Sequence, residues 1–491
     1  MTKAYFVQHT HWDREWYFTK EDAIVLSDQV FTEALEELER NKDANFCLDG
    51  QSSILDEYLE IHPEKLSLIK ELINENRLFV GPWYSQTDGL LVDAESILRN
   101  LTIGVHDIKI KYGEPMMLGY LPDTFGFNSQ LPTILNHAGI DTFMAWRGIN
   151  FDKISPSPYF KWKGLGDKSV NAIYFPFGYM TGLMTLDSIN NKKDFVENKL
   201  DPSINFLSEK GNNEEVLIPS GIDQKSMLHN INSIVDELNR FSENEIKISN
   251  YEEFADIIRK RTDLPAYRGE LREPVYARVH RSISSSRTGL KIENFNLEQT
   301  IIREIEPMMV MSEKLGIKIG KGLLHRLWKL VLQNQAHDSI GGCVSDDVAI
   351  DIYQRIKEAK EIAEGIKNLI LKRLADNIEL NDNEVIVLNT DLYDFDGLKK
   401  IHIVTNSKNI EFESGVKAEI LSEKYYPPRE NVQRLISTGF DFITEPPYFE
   451  LDVLIDVKIP ALGYKVIKFK ESKNELNAAK ENNKKYIEKK I

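Results

Sequence analysis

At 491 residues, with 42% apolar and 10% aromatic side chains, the chain is long enough for about two to four globular domains. Its 61 basic and 77 acidic residues give a formal charge of −16, which argues against nucleic acid or an anionic membrane as a partner and means that an anionic substrate needs a local basic pocket. Cys47 and Cys343 are too few for a disulfide framework, and neither a basic-then-apolar leader nor an apolar run of membrane-spanning length is present, so a soluble, cytoplasmic protein is expected.

The first predicted element is a strand over 3–7, and Gln8-His9-Thr10-His11-Trp12-Asp13-Arg14-Glu15-Trp16 follows it directly. Two imidazoles, two carboxylates and two indoles within one short segment are an unusual concentration of chemistry. Apolar runs then alternate with amphipathic stretches as far as about residue 260. Helices are predicted over 26–39, 63–76, 94–112 and 130–138, and strands over 46–48, 78–80, 117–120, 142–145, 170–175 and 216–218. Such alternation predicts a parallel sheet with crossover helices, and we expect a (β/α)7-type barrel over 1–264. Just past successive strands come His11 and Asp13, Asp49, Trp83 and Asp88, Asp123, Arg147, and Asp223. A single Asp in such a place is an ordinary helix cap or turn residue, but a barrel collects these positions on one face.

Residues 265–380 change character, with helical patterns over 292–315, 323–334 and 346–374 that predict a helical bundle. Between the last two, Gln335-Ala336-His337-Asp338-Ser339-Ile340-Gly341-Gly342 places a helix stop at the glycine pair. Short β runs over 385–388, 401–404, 449–455 and 464–469 predict a small β-sandwich over 381–470. The remaining 471–491 are Lys-, Glu- and Asn-rich and are expected to be a solvated tail. The fold class is therefore multidomain, α/β followed by α and then β.

His11 and Asp13 lie two residues apart, so an extended backbone points both side chains the same way, roughly 6.5 Å apart. An imidazole and a carboxylate suit Zn²⁺ or another divalent ion, which needs one or two further ligands that this spacing does not name. His106-Asp107 falls inside a helix and is expected at the surface, whereas His337-Asp338, at a helix end beside glycines, can reach a neighbouring cleft. Asp123, in Leu121-Pro122-Asp123-Thr124-Phe125-Gly126, sits on a turn bounded by Pro and Gly, which suits a nucleophile, a ligand or a helix cap. With Asp223 it would supply the carboxyl pair of glycoside hydrolysis. Among the nearby aromatics, Trp16 and Trp83 are candidate sugar-stacking residues, with core packing as the alternative.

Taken together, His9-Thr10-His11-Trp12-Asp13-Arg14-Glu15-Trp16, Leu121-Pro122-Asp123-Thr124-Phe125-Gly126 and Gln335-Ala336-His337-Asp338-Ser339-Ile340-Gly341 resemble glycoside hydrolase family 38, the zinc-dependent retaining α-mannosidases. Leu48-Asp49-Gly50-Gln51, Gly81-Pro82-Trp83-Tyr84-Ser85-Gln86-Thr87-Asp88 and Arg278-Val279-His280-Arg281 resemble its bacterial mannosylglycerate hydrolase branch, and the likeness covers 3–470. The resemblance implies His11, Asp13, Asp123 and His337 as zinc ligands, Asp123 also as the nucleophile, and Asp223 as the acid/base. Gln224 departs from the aromatic common beside that Asp in eukaryotic members. It also implies Trp16 as the floor of the mannose subsite, Arg147 beside the nucleophile, and Asp338 bonding the sugar or orienting His337. The zinc would grip adjacent sugar hydroxyls rather than activate water. The implied substrate is a small mannoside, mannosylglycerate or its 6-phosphate, with mannose oligosaccharides as the alternative. Members of the family usually continue into large β domains, so a complementing C-terminal fragment or a homo-oligomer is the expected protein partner. Two other classes stay open: a metal-dependent deacetylase or amidohydrolase, and an inactive sugar-binding chain.

Overall fold

The structure, a computed structural model, describes residues 1–473 and 476. The chain forms two compact units, Met1–Glu298 with Leu324–Glu361, and Gln299–Leu323 with the chain from Ile362 onward, so that residues 265–380 are divided between them.

The first unit carries ten strands: β1 (Lys3–Thr10), β2 (Phe46–Leu48), β3 (Leu78–Phe79), β4 (Gly119–Tyr120), β5 (Thr142–Ala145), β6 (Tyr159–Lys163), β7 (Ser169–Tyr174), β8 (Glu215–Ser220), β9 (Glu245–Ser249) and β10 (Ala266–Arg268). β1 is parallel to β2, β8 and β9, with Tyr5 opposite Leu217 and His9 opposite Cys47. A second sheet has the order β10-β6-β7-β5-β4, parallel except for β6 against β7. The β/α alternation is therefore present, but the expected barrel appears as two five-stranded sheets, with no ladder among the described residues closing them into one ring. β3 and β4, successive strands on either side of the gap, are only two residues long and leave little backbone to pair. Residues 4–10 of β1 are buried throughout, which explains why this strand is nearly all apolar until its functional end.

Helices pack on these sheets through single apolar faces. The helix Lys20–Arg40 begins at Thr19, whose hydroxyl accepts from the Asp22 N–H while the Asp22 carboxylate accepts from the Thr19 N–H. It buries Val30, Phe31, Ala34, Leu35 and Leu38 against Phe6, Phe46 and Ile218, each large side chain contributing about 1.5–3 kcal/mol. The helix predicted over 292–315 is interrupted: a wide turn over Ile301–Ile305 separates Thr288–Thr300 from Glu306–Lys314. Pro307, without an N–H, cannot continue the regular ladder there. The helices Lys321–Asn334 and Asp346–Asn377 match their predicted spans closely.

The second unit contains two three-stranded antiparallel sheets sharing a core of Val387, Ile403, Phe412, Leu451, Ile455 and Ile467, and a hairpin of Arg429–Ile436 with Gly439–Glu445. All four predicted strands are found. Ala418–Tyr426 and the hairpin strands, whose side chains are largely exposed or half-buried, lacked the apolar runs that would have announced them. Most of the tail expected from 471 lies outside the described residues. Among those described, no helix is long and apolar enough to cross a membrane.

Candidate active site

The ends of β1 and β8 are tied together beyond the ladder. The His11 N–H donates to the Ile222 carbonyl (3.3 Å) and the Gln224 N–H donates to the His11 carbonyl (2.9 Å), placing Asp223 beside His11. A Cβ on Gly221 would lie 2.1 Å from the His9 carbonyl oxygen, so only glycine allows this approach. Past β2, Asp49 accepts from His11 Nδ1 (3.0 Å), the Trp12 N–H (3.0 Å) and Gln51 Nε2 (2.9 Å). A carboxylate that engages Nδ1 leaves the other ring nitrogen available, the usual arrangement behind a ligating histidine. His11 Nε2 faces Asp13 Oδ1 at 3.0 Å.

His337 opens the short helix His337–Gly341, which ends at Gly342 in the left-handed conformation (φ +71°) as the glycine pair predicted. Its N–H donates to the Gln86 carbonyl (2.9 Å), and the Asp88 N–H donates to that of Gln335 (2.9 Å), pinning the helix start to the loop after β3. His337 Nε2 lies 3.5 Å from Asp13 Oδ1 and 3.8 Å from both Asp123 Oδ2 and Asp338 Oδ2. His11 Nε2, Asp13 Oδ1 and His337 Nε2 are all buried and, apart from the 3.0 Å approach of the first two, have no hydrogen-bond partner. Converging buried lone pairs repel one another unless a cation sits among them. The ligand atoms of His11, Asp123 and His337, and likewise those of Asp13, His337 and Asp338, lie within 4.8 Å of one another. Two imidazoles with carboxylates are a donor set suited to zinc.

The electrostatics point the same way. Burial opposes a proton on His11, yet the flanking Asp49 and Asp13 carboxylates hold its pKa well above the ordinary value, so the position attracts positive charge. Burial pushes His337 down to about 4, which leaves it neutral and able to ligate.

Asp123 borders both this cradle and an open cleft. Arg147 donates to its Oδ1 through Nε (2.8 Å) and Nη2 (2.5 Å), and stacks on Trp146 with the guanidinium carbon 4.4 Å from the ring centre. Burial pushes the Asp123 carboxyl up to about 6 against the pull of Arg147. Asp223 Oδ1 accepts the Tyr179 hydroxyl (2.8 Å), and the Tyr179 carbonyl is 2.7 Å from His9 Nε2. Asp338 accepts from the Cys343 thiol (3.0 Å), and burial followed by the nearby Asp13 and Asp123 carboxylates raises its pKa well above the ordinary value.

The cleft, of about 440 Å³, is lined by Asp13, Trp16, Asp123, Arg147, Asp223 and Asp338 among the predicted residues, and also by Tyr17, Phe125, Tyr179 and His280. His11 and His337 are buried and do not line it. Trp83 is a correction: it is 0% exposed, packs in the core with Leu121 and Phe127, and offers no face to a sugar. Asp49 was visible as a strand-end Asp and within Leu48-Asp49-Gly50-Gln51, but with no role attached, and Tyr179 stands in Phe177-Gly178-Tyr179-Met180, where no motif pointed to it.

A cation cradle and two carboxylates that meet in an aromatic-walled cleft are the equipment of carbohydrate hydrolases. Residues 1–270 match the glycosyl hydrolases family 38 N-terminal domain, and residues 278–374 match the alpha mannosidase middle domain. The chain belongs to glycoside hydrolase family 38. It is 28% identical over 373 residues to the "Putative mannosylglycerate hydrolase" of Halalkalibacterium halodurans, covering 73% of this chain and 41% of that one. It is 25% identical over 364 residues to alpha-mannosidase 2C1 of Mus musculus, covering 71% and 33%. The solved alpha-mannosidase from Enterococcus faecalis V583 shares the fold, with a TM-score of 0.82 at 23% identity over 98% of this chain and 57% of that one. The matched region is thus 41% or less of the length of these two curated relatives.

Proposed function

We propose that the chain is a zinc-dependent retaining α-mannosidase acting on a small mannoside, with mannosylglycerate or its 6-phosphate as the preferred substrate. The observation that carries this reading is the position of Asp123, whose carboxylate borders both the cation cradle and the cleft that holds Asp223. His11, Asp13, Asp123 and His337 would hold the ion. Zinc, when bound, supplies Lewis-acid attraction for adjacent sugar hydroxyls.

The chain's own residues perform the bond changes. Arg147 fixes the plane of the Asp123 carboxylate, and an oxygen of that carboxylate attacks the anomeric carbon as the bond to the aglycone oxygen breaks. Asp223 gives its proton to the departing oxygen, with Tyr179 holding one carboxyl oxygen so that the other faces the cleft. Water then attacks the same carbon, Asp223 takes its proton, and the ester to Asp123 is released with the configuration retained. Trp16, on the cleft wall, offers a stacking face for the sugar.

One observation favours a neutral mannoside as a second reading. Among the described residues, the only guanidinium or ammonium group on the cleft lining is that of Arg147, which Asp123 already engages, while four carboxylates line the same space. A glycerate or phosphate group would depend on the exposed Arg278 and Arg281, which flank His280 at the rim. Rates on mannosylglycerate, its 6-phosphate and α-mannobiose, measured with zinc, separate the readings: faster cleavage of mannobiose overturns the anionic preference. A mannosyl adduct on Asp123, captured by rapid quench and mass spectrometry, is expected for this mechanism. Its absence during active turnover would favour hydrolysis by a metal-activated water, as in deacetylases.

A further inference from the structure

His11 and Asp13 reach the cradle from the N-terminal loop, whereas His337 and Asp338 reach it from a helix more than 300 residues later. The spacing between these pairs depends on what ties their segments together. Glu15, two residues past Asp13, is placed to do this. Its side chain is 0% exposed, and Oε1 accepts the Ser339 hydroxyl (2.6 Å) and the Arg355 guanidinium. Ser339 is fully buried and stands two residues past His337. Arg355, on the helix Asp346–Asn377, is anchored in turn: its Nε donates to Asn334 Oδ1 (2.6 Å), and Asn334 Nδ2 donates to the Ile352 carbonyl (3.3 Å). On the other side, Arg14 donates from Nε to Glu57 (2.6 Å) and holds Nη1 3.7 Å from Glu15 Oε2.

We propose that Glu15 is a positioning residue for the cation site, holding the His337 helix through Ser339 at the distance from His11 and Asp13 that an ion requires. The inference rests on reading the cradle as a zinc site. A buried carboxylate suits this task better than an apolar contact because its hydrogen bonds have direction as well as reach. Arg355 pairs with that carboxylate and fixes its plane. Two effects are thereby separated on one side chain: the Ser339 bond sets the ligand spacing, and the Arg355 pair keeps the fold intact.

The test measures zinc dissociation constants by chelator competition, and melting temperatures of the metal-free full chain, for wild type, Ser339→Ala, Glu15→Gln and His11→Ala. Ser339→Ala removes only the hydroxyl, and is expected to weaken zinc binding about tenfold or more while moving the metal-free melting temperature by less than about 3 °C. Glu15→Gln keeps an acceptor for Ser339 but loses the charge opposite Arg355, so it should lower the melting temperature and bind zinc more tightly than Ser339→Ala. If His11→Ala loses zinc while Ser339→Ala binds it like wild type, the role of Glu15 is overturned and the zinc site stands. If His11→Ala binds zinc as wild type does, the zinc reading fails and this inference fails with it.

Discussion

Asp123 and Asp223 differ in what surrounds them, and that difference fits the tasks proposed for them. Asp123 is fixed by two bonds from Arg147, as an attacking group must be, whereas Asp223 takes one bond from Tyr179 and faces the cleft. Asp123→Asn is therefore expected to abolish turnover on every mannoside, measured as steady-state rate with zinc present. Asp223→Ala should cost about 10²–10⁴-fold on natural leaving groups and much less on an activated aryl mannoside; equal losses on both would remove the acid role. Asp88 gives a stability test. Burial pushes its carboxyl from 3.8 up to about 6, despite hydrogen bonds from the Leu90 and Leu91 N–H groups. Because the folded value is the higher one, the folded chain binds the proton more tightly. The associated stability is full below about pH 4 and is lost as pH rises through about 6. Asp88→Asn keeps the acceptor and cannot ionise. Urea unfolding from pH 4 to 7 should show wild type losing on the order of 2–3 kcal/mol relative to the variant.

At the scale of elements, the loop after β3 matters most, because Gln86 receives His337 and the Asp88 N–H binds Gln335 there. The helix Ala94–Lys111 packs directly on that loop at Gly104. A Cβ at this position would meet the Pro82 carbonyl oxygen at 2.2 Å and the Trp83 backbone at 2.5 Å. Alanine is the better helix former by about 1 kcal/mol, but the clash cannot be relieved by a side-chain rotation. Gly104→Ala should therefore destabilise the chain by about 1–3 kcal/mol in denaturant titration. Elements of strong apolar pattern were legible in the sequence: the helix Lys20–Arg40 through its Val30, Phe31, Ala34, Leu35 and Leu38 face, and β5 through Phe143-Met144-Ala145. β6 was not: Tyr159, Phe160 and Trp162 are buried, but Lys161 and Lys163 point into solvent and break the apolar run.

For the molecule as a whole, the ion is expected to act as a clasp between residues distant in sequence. Zinc at about 100 times its dissociation constant should stabilise the folded chain by about 2.7 kcal/mol, seen as a rise in melting temperature. A chelator should reverse that rise, and His11→Ala or His337→Ala should remove it; an undiminished rise in either variant would exclude the cradle as the ion site. The sequence by itself determined the β/α alternation and the three motifs, because period and residue type are local properties. It also brought forward six residues that line the cleft, since short motifs carry their own chemistry. Only the tertiary structure decided that Trp83 fills the core, that Asp49 holds His11, that Tyr179 reaches Asp223 and that Glu15 meets Ser339. The three polar pairs join residues 38, 44 and 324 positions apart. Such contacts follow from how strand ends and helix starts pack together, and no local pattern records that.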